Sequence, residues 1–235
     1  MYLMFADEAD QDGEKEFLVY AGVFFPSDAV LQLHQKVQAL RTKFGFAEDD
    51  VLKFSSGTKP KGIDNKTHTE IKNSVLKLAA EMGCKTCCYI VPNDIAKGQP
   101  LENRLKYGMN TLLIKFDQFL RECGSLPGAV FFDKTTDFNQ AAYLKEVAAF
   151  GLDFSDKRMK LEHVVSFAST QTGLSHLAAI TDIVVGAFRW VVNEPDKDKV
   201  GALLLGAVAK LMWGKPGDDG QLHVRERGFV VRPKT

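Results

Sequence analysis

The chain has 235 residues, 45% hydrophobic and 26% charged, which excludes global disorder and allows one large packed domain. Its 30 Lys and Arg residues cancel its 30 Asp and Glu residues, so it lacks the basic excess usual in nucleic-acid binders, and a nucleic-acid groove would need a local positive rim. The opening Met1-Tyr2-Leu3-Met4 has no basic start, and the longest apolar run, Leu177 to Trp190, falls short of the about 18–20 residues of a membrane helix, which predicts a cytoplasmic protein with no membrane partner.

Tyr2 to Ala6 is a short apolar run that meets Asp7 and Glu8, and after the turn-rich Asp10 to Gly13 comes the apolar run Phe17 to Phe25. This pattern predicts a hairpin whose second strand is covered on both faces. Ser27-Asp28 is expected to cap a helix to about Lys43, with Val30, Leu33, Val37 and Leu40 on its inner stripe. Val51 to Phe54 is expected as a short strand, Ser55 to Gly62 as a loop, Asn65 to Met82 as a helix and Cys84 to Val91 as a strand.

Cys84-Lys85-Thr86-Cys87 matches C-x-x-C, but no second pair completes a zinc site, and its apolar strand context predicts buried free thiols. Helical spacing runs from Leu101 to Glu122, and Gly128 to Asp133 is a buried strand ending on a carboxylate. A helix over Phe138 to Phe150, a strand over Leu161 to Phe167 and helices over Leu174 to Val192 and Asp198 to Trp213 follow. The turn cluster Trp213 to Gly220 leads to a tail, Leu222 to Val231, expected as a strand carrying arginines. The pattern predicts an α/β fold, a mixed sheet flanked by helices, with a domain over residues 1–213 and a turn-rich linker and tail over 214–235 packed on it.

Three aspartates stand where solvated charges are unusual. Asp7 shares a strand face with Leu3 and Phe5, Asp133 ends a central strand, and Asp182 points from a helix surface of Ala178, Ala179, Val185 and Gly186. Arg189 is two turns from Asp182, too far for a neighbouring helical pair. At ~4 Å and an effective dielectric near 20, two carboxylates repel by about 4 kcal/mol. A cluster therefore calls for protonation or a hard divalent cation, Mg²⁺ or Mn²⁺, which in pairs supports phosphodiester hydrolysis. His163, alternating with Leu161 and Val165, reads as a core histidine, and His176 falls on another helix face than Asp182. No phosphate-cradling glycine motif is present, so no nucleotide cofactor is expected.

Four segments resemble a known family. Phe5-Ala6-Asp7-Glu8-Ala9 with Asp12-Gly13 resembles the "D-E-S-G" opening of the family called domain of unknown function 3800, within the ribonuclease H-like superfamily. Val51-Leu52-Lys53-Phe54-Ser55 resembles its "E-L-K-W-S" segment, Val130 to Asp133 its internal strand ending in Asp, and Ala179 to Ala187 its "Q-L-A-D-x-x-A-G-A" helix. The chain departs from the pattern at Ala9, Val51, Ala179 and Thr181.

The resemblance implies a ribonuclease H-like fold with Asp7, Asp133 and Asp182 as ligands of Mg²⁺ or Mn²⁺. Glu8 would join them only if its strand kinks, since in a regular strand it faces away from Asp7. Lys53 would bind a phosphate or a transition-state oxygen. Lys59, Lys61, Arg225, Arg227, Arg232 and Lys234 are candidates for a basic rim along a nucleic-acid backbone, with Lys59 and Lys61 as the substrate-binding candidates. The function expected is a metal-dependent nuclease or phosphodiesterase. The alternative, a catalytically inactive binding or regulatory module of the same fold, draws on the neutral charge and on Ala179 standing in place of the family's Gln.

Overall fold

The computed structural model describes residues 1–9, 14–96, 98–154, 157–194 and 198–232, with only the backbone of 198–202. The Asp12-Gly13 end of the first motif and Lys234 lie outside these residues. In chain order the elements are β1 Tyr2–Ala9, β2 Phe17–Pro26, α1 Val30–Lys43, α2 Asn65–Glu81, β3 Lys85–Pro92, α3 Asn93–Ala96, α4 Leu101–Glu122, β4 Gly128–Asp133 and α5 Gln140–Phe150. There follow β5 Leu152–Phe154, β6 Lys157–Met159, β7 Val164–Thr170, α6 His176–Asn193, α7 Asp198–Ala209, β8 Lys215–Pro216, β9 Leu222–His223 and β10 Phe229–Val231.

Six strands form one mixed sheet in the order β10-β3-β2-β1-β4-β7. β2 is antiparallel to β1 and β3, whereas β4 runs parallel to β1, β7 to β4 and β10 to β3. All strands except β2 therefore end at one edge of the sheet, where loops and side chains can gather. Both faces are covered, which explains why β2 is apolar throughout: eight of its ten residues are buried.

Alternation along β1 divides the core in two. Phe5, with Leu3 beside it, faces α6, behind which lie α1, α2 and α7; Met4 and Ala6 face α4 and α5. Close approach on the second face needs glycine at position 108 of α4, where a Cβ would lie 2.4 Å from the Tyr20 ring. No helix among the described residues is long and apolar enough to cross a membrane.

Several boundaries differ from expectation. Ala29, not Ser27 or Asp28, occupies the cap position of α1, and no side chain caps it. Val51–Phe54 is not a strand: it is an irregular segment packed on α6, because its partners are helix side chains rather than a sheet edge. β7 begins at Val164, leaving His163 before it, and Leu152–Phe154 pairs with Lys157–Met159 in a separate two-stranded ribbon. The tail is two pieces: β9 pairs with β8, and β10 adds a sixth strand beside β3.

All four cysteines are free, with Cys84, Cys87 and Cys88 buried and Cys123 half-buried. Burial pushes the Cys84 and Cys87 thiols up to about 12 and raises Cys88 as well, which suppresses the reactive thiolate. Iodoacetamide is expected to modify Cys123 first in the folded protein, the other three reacting only in urea; peptide mapping that finds Cys87 labelled at the native-state rate of Cys123 would contradict this packing.

Candidate active site

The parallel ladder between β1 and β4 runs from Tyr2↔Gly128 to Ala6↔Phe132. Asp7 and Asp133 are the next residue on each strand, so neighbouring parallel strands present them side by side at the sheet's edge. Two-residue alternation puts both on the face of Phe5 and Phe131, whose rings stack at 4.7 Å between centroids. That is the face α6 covers, and Asp182 lies on α6 between the buried Thr181 and Ile183. A void of about 10 Å³ lies between Asp7, Asp133, Thr172 and Thr181.

The three carboxylates feel one another. Burial pushes the Asp7 carboxyl well above the usual carboxylate range, and the charges of Glu8, Asp133 and Asp182 push it further; the Glu8 amide opposes them by donating to Asp7 Oδ1 at 2.8 Å. Asp133 is raised by burial and by Asp182, with Lys53 and the amides of Lys134 and Thr172 acting the other way. Its Oδ1 is buried without a hydrogen-bond partner. Asp182 is raised by burial, against the Phe54 amide, Lys53 and Lys72.

Asp182 meets an acceptor's need that no helix neighbour could satisfy: its Oδ2 accepts the backbone N–H of Phe54 at 2.5 Å. This bond docks the Val51–Phe54 segment on α6 and sets Lys53 close enough to act on both Asp133 and Asp182. Phe54 is seated edge-on against Trp190, 5.5 Å between centroids. On its other side is Lys72, fully buried on α2, whose Nζ donates to the Phe54 carbonyl at 3.0 Å and lies 4.5 Å from the Phe54 ring centre. Burial pushes the Lys72 ammonium down to about 8, while the Asp182 charge pulls it up.

Lys72 and the buried His68 were missed in the sequence, although a signal exists. His68, Ile71, Lys72, Val75, Leu76 and Ala79 form one stripe at helical spacing on α2, so a lysine and a histidine interrupt its apolar face. His68 is pushed down to about 4, chiefly by burial and then by Lys72 and Lys59, which keeps it neutral.

Glu8 remains on a regular strand opposite Tyr20, and alternation sends it to the face away from Asp7. Lys59 is half-buried and Lys61 exposed, after the short turn Ser56–Thr58. Arg227 and Arg232 are neutralised by Glu122 at 3.1 Å and Glu226 at 2.8 Å. His163 sits 3.4 Å from Asp117, and His176 contacts Arg41 at 2.9 Å.

Hard oxygen donors, a small void and an unpartnered buried carboxylate oxygen suit a divalent cation in residue type. Among the described residues, however, no three His, Cys, Asp or Glu side chains converge tightly enough to hold an ion. The hydrogen bond from Phe54 takes one lone pair of Asp182 Oδ2.

No protein-family profile matches the chain, and no curated protein does. Among solved structures, that of the PCNA:RNase HII complex from Archaeoglobus fulgidus matches with a TM-score of 0.51, over 86% of this chain and 79% of the other, at 16% identity. The fold is ribonuclease H-like. Bst-RNase HIII in complex with Mn²⁺ matches at a TM-score of 0.47 and 10% identity, over 93% of this chain and 59% of that one. Aquifex aeolicus RNase H3 matches at 0.39 and 15% identity, over 84% and 59%. At 16% identity the likeness to the RNase HII structure concerns the fold alone.

Proposed function

We propose that this chain is a divalent-cation-dependent nuclease or phosphodiesterase, with Asp7, Asp133 and Asp182 holding Mg²⁺ or Mn²⁺. The observation that carries the proposal is that three carboxylates, from β1, β4 and α6, lie within electrostatic reach of one another, each raised by burial and two of them also by another's charge. Structural ion-pair networks also perturb carboxylates, but here the nearby charges include other carboxylates. The four-segment resemblance to domain of unknown function 3800 belongs to the same proposal.

When bound, the cation would lower the pKa of a coordinated water and neutralise charge on the phosphoryl oxygens. The protein's own part is to hold and orient. β1 and β4 fix Asp7 and Asp133 side by side, and the Phe54 amide fixes the rotamer of Asp182. Lys53, held beside Asp133 and Asp182, would take up a phosphate oxygen as a point charge. Lys59 and Lys61 would follow the strand's backbone outward. A location in the cytoplasm is part of this reading.

The second reading, a binding or regulatory module without turnover, is favoured by one observation: the amide of Phe54 already occupies Asp182. Calorimetry with Mn²⁺, followed by cleavage assays on RNA, DNA and RNA/DNA hybrid, separates the two. Saturable binding and cleavage are expected, with Asp133→Asn lowering the rate by roughly a hundredfold or more while the fold persists. Full activity in Asp133→Asn would remove the site assignment, and absence of Mn²⁺ binding with and without nucleic acid would leave the binding module.

A further inference from the structure

The face of the sheet opposite the carboxylates carries a cavity of about 440 Å³ between β2, β3, α3 and α4. Leu18 and Val91 form its apolar floor, and Tyr89 and Tyr107 wall it with rings 6.1 Å apart at 44°. Two arginines line it. Arg232 is committed to Glu226, with two hydrogen bonds at 2.8 and 2.9 Å. Arg104 is different: its Nε is buried without a partner, and among the described residues no carboxylate pairs with its guanidinium.

Shutting the Nε–H of a guanidinium from water with no acceptor is costly, a cost that a ligand acceptor would offset. Tyr20 stiffens the site from below: its hydroxyl donates to the Arg104 carbonyl at 3.2 Å, which ties this turn of α4 to β2. Tyr107 follows Arg104 by three residues and so lies beside it on the helix surface. The site thus offers a guanidinium with no carboxylate partner among the described residues, the exposed ring of Tyr107 and an apolar floor, with Gln99 and Asn103 as amide groups at the exposed rim. A small inorganic anion would leave the apolar floor unused, and an uncharged ring would leave Arg104 unpaired.

We propose that this cavity binds a nucleotide unit, its base against Tyr107, which Tyr89 backs, and its phosphate on Arg104. Guanidinium groups suit phosphate geometry, and tyrosine faces stack bases of any identity. The site is separate from the carboxylate cluster and stands or falls independently of the hydrolytic function. The nucleotide comes either free or as part of a strand, and the two sources share the recognition chemistry.

The test is calorimetric titration of the full chain, in EDTA to silence divalent cations, with AMP, adenosine, inorganic phosphate and the dinucleotide ApA. Saturable binding of AMP or ApA is expected, with adenosine and phosphate alone each weaker by roughly tenfold or more. ApA binding better than AMP assigns the site to a strand, and the reverse order to a free nucleotide. Arg104→Gln and Tyr107→Ala should each weaken binding by about tenfold or more, with partial rescue in Arg104→Lys. The proposal is overturned if neither AMP nor ApA binds, if phosphate alone binds as tightly as AMP, or if folded Arg104→Gln and Arg104→Lys both bind like wild type.

Discussion

Gly186→Ala is expected to destabilise the protein by about 3 kcal/mol, the upper end of what overpacking costs in a close-packed core. A Cβ at this position of α6 would lie 2.0 Å from Phe54 Cγ and 2.5 Å from Phe54 Cβ. These atoms are near the backbone, so no rotamer change of Phe54 clears them. Either α6 shifts against the sheet or the Val51–Phe54 segment lifts, and lifting would break the bond from the Phe54 amide to Asp182 and the contact with Lys72. Gly206→Ala is the internal control. It too is a helical glycine, but a Cβ there meets nothing within 4 Å, so alanine should add about 0.5–1 kcal/mol through propensity. Urea midpoints at constant slope measure both. A loss below about 0.5 kcal/mol in Gly186→Ala would mean that Phe54 is not seated on this helix, and the account of how Lys53 reaches the carboxylates would go with it.

That dependence marks where sequence reasoning succeeds and where it stops. The three aspartates are legible because local rules set their surroundings: alternation fixes the face of Asp7, a buried run leads to Asp133, and helical spacing puts Asp182 among small apolar residues. The layered α/β arrangement is legible for the same reason, since strand and helix periods are written in single segments. What cannot be read locally is the pairing of distant segments. Val51–Phe54 has the composition of a strand, yet its backbone amide goes to a carboxylate on α6, 128 positions away along the chain. Tertiary contact overrides its β propensity. Glycine at 186 is the trace this contact leaves in the sequence, and it becomes interpretable only once Phe54 is known to lie against it. The tail is a similar case. Its arginines suggest a rim for nucleic acid, whereas the folded chain spends Arg227 and Arg232 on Glu122 and Glu226.

Asp7→Asn is expected to raise the stability of the metal-free protein at neutral pH while removing its affinity for Mn²⁺. The sign follows from proton linkage. Burial and the charges of Glu8, Asp133 and Asp182 raise the folded-state pKa of Asp7 well above its unfolded value of about 3.9. Between those two values the folded protein binds more protons than the unfolded one. Stability therefore falls as pH rises through that window, and Asp7 is a net cost at every pH above it. Asparagine keeps the shape and removes the charge, so the variant should gain about 0.5–2 kcal/mol near pH 7 and lose most of the difference below about pH 4, where wild-type Asp7 is protonated in both states. Asp133 and Asp182 are raised in the same direction, while His68 and His176, pushed down by burial, gain stability with pH over the same range, so the aspartate effect is read as the difference between variant and wild type, which should grow from pH 4 to neutral in EDTA and reverse in Mn²⁺. Thermal denaturation of both proteins across pH 4 to 8, with and without Mn²⁺, gives the four curves needed. A variant less stable than wild type at neutral pH in EDTA would mean that Asp7 is held by favourable partners, as an ordinary structural carboxylate is, and would take away the electrostatic reason for placing a cation beside it.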